Sequence, residues 1–112
     1  MNYTGKAQFS LTCVAPPDLE TEGDRIFSLH VAWVEETHYR EGEKALLQYT
    51  VAKRSDDDGN IIFVLTEVYE TVAGVEDHYK QAGDWEWIED WRTFMDQCHV
   101  TAGGASIVHS LW

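Results

Sequence analysis

Residues 61–79 read IIFVLTEVYETVAGVEDHY, and the two halves of this stretch follow different periods. Ile61 to Glu70 is rich in β-branched and aromatic residues and predicts a strand. Because it is apolar on both faces, it is expected at the centre of a sheet, covered on both sides. From Thr71 onward Val72, Val75, Tyr79 and Ala82 recur at helical spacing, with Thr71 placed to cap the helix and His78 at the edge of its apolar side. Glu67 and Tyr69 near the strand end, and His78 on the helix, therefore set polar chemistry into an otherwise apolar unit.

On the amino-terminal side, Asp58-Gly59-Asn60 within KRSDDDGN marks a hairpin, which ties this strand to Ala45–Lys53, ALLQYTVAK. Lys6 to Ala15 alternates Phe9, Leu11 and Cys13 against Gln8, Ser10 and Thr12, and Pro16-Pro17 ends that strand. Asp18 to Asp24 suits a loop. Residues 24–42, DRIFSLHVAWVEETHYREG, gather Ile26, Phe27, His30, Trp33, Val34 and Thr37 on one side of a helix ending near Gly42. A strand reading would instead place His30, Ala32 and Val34 on one face. The helix is preferred because the charged residues then fall largely off the apolar side.

Beyond Ala82, Gly83 breaks the second helix and Asp84 is placed to cap another segment. Its stripe is Trp87, Ile88, Trp91, Phe94, Met95 and Cys98. Trp85 lies off that stripe and is expected to face solvent, a pocket or a partner. VTAGGASIVHSLW, residues 100–112, predicts a strand with a bulge or bend at Gly103-Gly104. The order strand, helix, strand, strand, helix, strand is the split βαβ pattern of a single α+β, ferredoxin-like domain over residues 1–112. It implies a four-stranded antiparallel sheet with its helices on one face. The open face then needs a cover, and a second copy of the chain supplies it. The expectation is a symmetric homodimer with sheets face to face, a dimeric α/β barrel.

The formal net charge of −12 argues against nucleic acid and against an anionic membrane surface as partners. No apolar run approaches the roughly 20 residues of a membrane span. MNYTGKAQFS lacks a cationic start followed by an apolar run, and two cysteines make no disulfide framework, so a cytoplasmic, reduced setting is expected. There is no glycine-rich phosphate cradle, and the spacings of His, Cys, Asp and Glu form no metal motif. No cofactor and no metal are expected on these grounds.

Two readings stand for His30: a core imidazole tied to a backbone carbonyl, or a base or donor in a pocket between helix and sheet. His78 either ties its helix to the sheet through Glu67 or acts as a base whose basicity Glu67 raises. His30, His78 and Glu67 are the candidate catalytic residues. Tyr69, Tyr49 and Phe63, together with Trp33, Trp87 and Trp91, are candidate walls for a flat or long apolar ligand; the same aromatics also read as core. His38 and His109 are expected at the surface or an interface.

Glu67 to His78, EVYETVAGVEDH, resembles a motif of the dimeric α/β barrel proteins typified by the antibiotic biosynthesis monooxygenases. The matched positions are Glu67, Tyr69, Thr71, Gly74 with Val75, and His78, with no gap. Ala45-Leu46-Leu47-Gln48-Tyr49 is similar to the start of that family's second strand, with Ala for Gly. The resemblance implies cofactor-independent oxygenation as one activity and oxidative haem breakdown as another. The first strand has no Asn, and Tyr69 stands where the haem-degrading branch carries Trp. Haem degradation is therefore not expected.

Overall fold

The computed structural model describes residues 2–112. Its strands are β1 (Ala7–Ala15), β2 (Leu46–Ser55), β3 (Ile61–Tyr69) and β4 (His99–Ser106). Its helices are α1 (Glu20–Thr37), α2 (Val72–Ala82) and α3 (Ile88–Asp96), with a short 3-10 turn at Pro17–Leu19. The four strands form one antiparallel sheet in the order β2-β3-β1-β4, which is the ferredoxin-like arrangement the element order predicts.

β3 occupies a central position, as its doubly apolar sequence requires, and pairs along its whole length with β1. The hairpin before it closes where expected. Asp56 Oδ1 accepts from the backbone N–H groups of Asp58 and Asn60, both at 2.9 Å, and Gly59 takes φ +83°. Phe9, Leu11, Cys13 and Ala15 of β1 and Ile61, Phe63 and Leu65 of β3 face the same side. There they enclose the core with Ile26 and Phe27 of α1 and Phe94 of α3.

Two glycines set how closely helices approach the sheet. A Cβ on Gly23 would lie 2.5 Å from the Phe63 ring, and one on Gly74 would lie 2.4 Å from the Tyr69 ring. Only a bare backbone lets α1 and α2 sit this low.

Four local expectations are corrected. α1 starts at Glu20 rather than after Asp24, because Pro17 opens a 3-10 turn that runs directly into the helix. It stops at Thr37 rather than near Gly42: His38 turns to an extended conformation (φ −86°, ψ 149°), and Tyr39 to Gly42 are exposed, with the Tyr39 carbonyl accepting from the Leu46 N–H at the start of β2. Asp84 does not cap α3; the N-cap position is Trp87, without a side-chain bond. Gly103 and Gly104 form no bulge, since they pair in unbroken register with Ser10 and Phe9 on an exposed edge strand.

Candidate functional site

Glu67 and Tyr69 lie two residues apart on β3 and so share the face that meets the helices. Glu67 is wholly buried, opposite Phe9. The Tyr69 hydroxyl donates to Glu67 Oε1. Glu67 Oε2 is also buried and has no hydrogen-bond partner among the described residues. Burial disfavours the carboxylate more than the Tyr69 hydroxyl favours it, so the Glu67 pKa is raised to about 7.

α2 presents His78, from its middle, to this pair. Thr71 Oγ1 accepts from the Ala73 N–H at 3.1 Å, and Gly74 lets the first turn ride on the Tyr69 ring. His78 Nδ1 stands 3.4 Å from Glu67 Oε1 and 3.2 Å from the Tyr69 hydroxyl. Its shortest contact, 2.7 Å, is with His38 Nε2.

The bonds beyond His38 fix the protons. Thr37 Oγ1 donates to the Trp33 carbonyl at 2.7 Å, so it accepts from His38 Nδ1–H at 3.0 Å. His38 Nε2 then carries a lone pair and accepts from His78 Nδ1–H, which leaves the lone pair of His78 on Nε2. His30, from the middle of α1, shares a 2.6 Å bond between its Nδ1 and the Tyr49 hydroxyl, so that its Nε2 has no hydrogen-bond partner among the described residues. The His30 partner is thus a β2 phenol and not a backbone carbonyl. Burial, reinforced by neighbouring imidazoles, lowers the pKa of His30 and of His78 to about 3, and burial also lowers that of His38. All three rings are neutral near pH 7.

Above them lies a cavity of about 320 Å³, lined by His30, His78, Trp33, Trp85 and Trp91, with Phe9, Leu11 and Leu65 at its sheet side. Trp33 stacks on Trp85 at 5.1 Å between ring centroids, and His30 on Trp91 at 4.6 Å. Tyr79, 56% exposed, and Arg92, ion-paired to Glu89 at 2.7 Å, also border it. The slot is walled by flat rings and apolar for most of its surface, with the Arg92–Glu89 ion pair at its rim.

The fold brings together His30, His78, Glu67, Tyr69, Tyr49, Trp33 and Trp91. Glu67 and Tyr69 stand behind the cavity wall rather than in it, and Tyr49 reaches the site through His30. Two expected wall residues lie elsewhere. Phe63 is in the core and borders a separate open groove along α1 and β2. Trp87 is 37% exposed beside the Arg25 guanidinium, because α3 turns it away from the slot. Trp85 takes that place, 6% exposed and edge-on to His30 at 5.7 Å. Its position off the α3 stripe was the signal for it.

His38 is a correction. It is partly buried and hydrogen-bonded into the site, because the chain leaves α1 one residue before it and carries it towards α2. A second correction concerns metal donors. His30, Glu67 and His78 are far apart in sequence, yet one donor atom from each lies within 4.8 Å of the other two.

Fold and site together define a ferredoxin-like α+β domain whose aromatic cavity ends in a buried histidine–carboxyl cluster. No protein-family model and no curated protein matches the sequence. Among solved structures, the chain is similar to a dimeric ferredoxin-like protein from an uncultured marine organism. The TM-score is 0.69 at 16% identity, with 95% of this chain and 99% of that one covered. It is also similar to PA3566 from Pseudomonas aeruginosa, with a TM-score of 0.59 at 16% identity, covering 95% and 97% of the two chains. At this identity the likeness is one of fold.

Proposed function

We propose that the chain is a cofactor-independent oxygenase of the antibiotic biosynthesis monooxygenase type, acting on a planar molecule with an acidic C–H or phenol beside a carbonyl. One observation carries this reading: the Trp33–Thr37–His38–His78 bond chain leaves the His78 Nε2 lone pair free at an aromatic cavity. Nε2 takes the substrate proton, and the desolvated carbanion reacts with dioxygen. For a methylene, the resulting hydroperoxide loses water, so that one CH2 and one O2 give one carbonyl and one H2O. The protein contributes orientation, water exclusion and the proton acceptor. Above pH 7 the Glu67 carboxylate, 3.4 Å from His78 Nδ1, supports the imidazolium that forms. His30 and Tyr49 orient the carbonyl end, and Trp33, Trp85 and Trp91 hold the ring system.

The test is oxygen uptake by purified protein across a panel of fused-ring phenols bearing an adjacent carbonyl. Turnover that falls at least about a hundredfold in His78→Ala supports the assignment, a size ordinary for loss of a general base. Unchanged turnover in both His78→Ala and His30→Ala removes it.

The apolar wall supports a second reading, a non-catalytic binder of a fatty-acid-like or aromatic metabolite. Native mass spectrometry distinguishes the two: a co-purifying apolar molecule with no oxygen uptake favours binding.

The working unit in this proposal is a homodimer in a reduced, cytoplasmic setting. All three helices pack on one face of the sheet, while Val14, Ile62, Val64 and Val68 alternate to the other. The dimeric ferredoxin-like marine protein, similar over 95% of this chain, gives the same expectation.

A further inference from the structure

The oxygenation reading uses one lone pair and leaves a buried carboxylate oxygen unexplained. Glu67 is 0% exposed, and its Oε2 has no partner among the described residues. Buried polar atoms are almost always bonded, and an orphan calls for a water, an ion or a ligand group. Both neighbouring imidazoles offer a free nitrogen, because Tyr49 engages Nδ1 of His30 and His38 engages Nδ1 of His78.

From this cluster of side chains we infer that His30, Glu67 and His78 form a binding site for one first-row divalent transition ion, of the Zn2+, Fe2+ or Co2+ type. One donor atom of each already lies within 4.8 Å of the others. Ion–donor bonds of about 2.0–2.2 Å put donors roughly 3–3.5 Å apart, so small rotations of the imidazoles close the site. Two imidazoles and one carboxylate select such ions over Mg2+ or Ca2+, which prefer all-oxygen shells.

The surrounding bonds are those a metal centre uses. Each ligand has its other polar atom held by a neighbour: His30 by Tyr49, His78 by His38, and Glu67 Oε1 by Tyr69. A divalent ion beside the fully buried Glu67 side chain holds its carboxylate ionised. Of the three donors, His30 and His78 also line the aromatic cavity, while Glu67 lies behind its wall.

The inference does not rest on the oxygenation. Ion and base compete for the same His78 lone pair, so a bound ion is expected to slow that reaction.

The experiment begins with full-length protein stripped by chelator, returned to chelator-free buffer and titrated with Zn2+ in a calorimeter. Binding of one ion per chain is expected, weakened at least about tenfold in Glu67→Gln and unchanged in His109→Gln. A parallel NMR titration of the unmutated protein removes dependence on variant folding. Zn2+ should shift the side-chain nitrogen signals of His30 and His78 and leave those of His99 and His109 in place. No stoichiometric binding, or shifts confined to His99 and His109, overturns the site. Stoichiometric binding in a protein that consumes no oxygen retains the site and rejects the oxygenase.

Discussion

With its carboxyl sealed beneath Tyr69 and beside His78, Glu67 ionises only near pH 7, and this gives the proposed reaction its pH dependence. Turnover should rise through about pH 7 as the carboxylate forms, and Glu67→Gln should flatten that rise; a pH–rate profile of both proteins checks this. His38 acts one bond further out. His38→Ala removes the acceptor that holds the proton on His78 Nδ1, whereas His38→Gln keeps an acceptor oxygen there. Long-range proton–nitrogen NMR should show His78 protonated on Nδ1 in the parent and in His38→Gln. A mixture of tautomers is expected in His38→Ala. The same tautomer in all three proteins would remove the role given to His38.

Among the elements, α2 depends on two small residues at its start. A Cβ at Gly74 would meet the Tyr69 ring at 2.4 Å and the Lys44 carbonyl at 2.9 Å, and the backbone contact cannot yield by rotation. Gly74→Ala should therefore cost about 1–3 kcal/mol in urea unfolding, outweighing the helix propensity gained. It should also displace the Tyr69 signals. Thr71→Ala loses the cap on the Ala73 N–H and should cost about 1 kcal/mol by the same measurement. For α3 the contrast lies between its two leading tryptophans. Trp85→Ala should weaken binding of an apolar fluorescent probe in the cavity, and Trp87→Ala should leave it unchanged, because only Trp85 lines that cavity.

At the scale of the whole molecule, the buried rings govern acid stability. His30 and His78 have folded pKa values near 3 against an ordinary 6.5, so the unfolded chain takes up protons first as pH falls from 6.5. That stability is fully present above pH 6.5 and is lost towards pH 3. Glu67 has the opposite sign: its folded pKa is raised from 4.5 to about 7, so its contribution is present below 4.5 and is lost as pH rises to 7. Two rings outweigh one carboxyl. Urea midpoints should thus peak near pH 6.5 and fall on acidification by an amount on the order of 1–2 kcal/mol per pH unit. At the same scale, light scattering should give twice the chain mass; a monomer at micromolar concentration would remove the dimer proposal.

The strand–helix reading of residues 61–79 was available from the sequence because each half obeys one strong period and Thr71 caps the junction. From that reading the order of elements followed, and with it the ferredoxin-like sheet. Glu67 and His78 were legible as polar residues in apolar surroundings, and His30 as an imidazole centred on an apolar helix face. His38 was not, since it lies beyond the last helical turn and its role depends on where the chain goes after Thr37. Trp85 and Trp87 sit two apart at the entry to α3, and only the packed direction of that entry separates a cavity wall from an exposed ring. Local periods and caps determine the elements, but not every buried face: in α2 it is Gly74 and His78 that are buried, while Val72 and Tyr79 of the expected apolar side are exposed. Only tertiary packing decides which atoms on those faces meet, and it brought His30, Glu67 and His78 within one donor cluster.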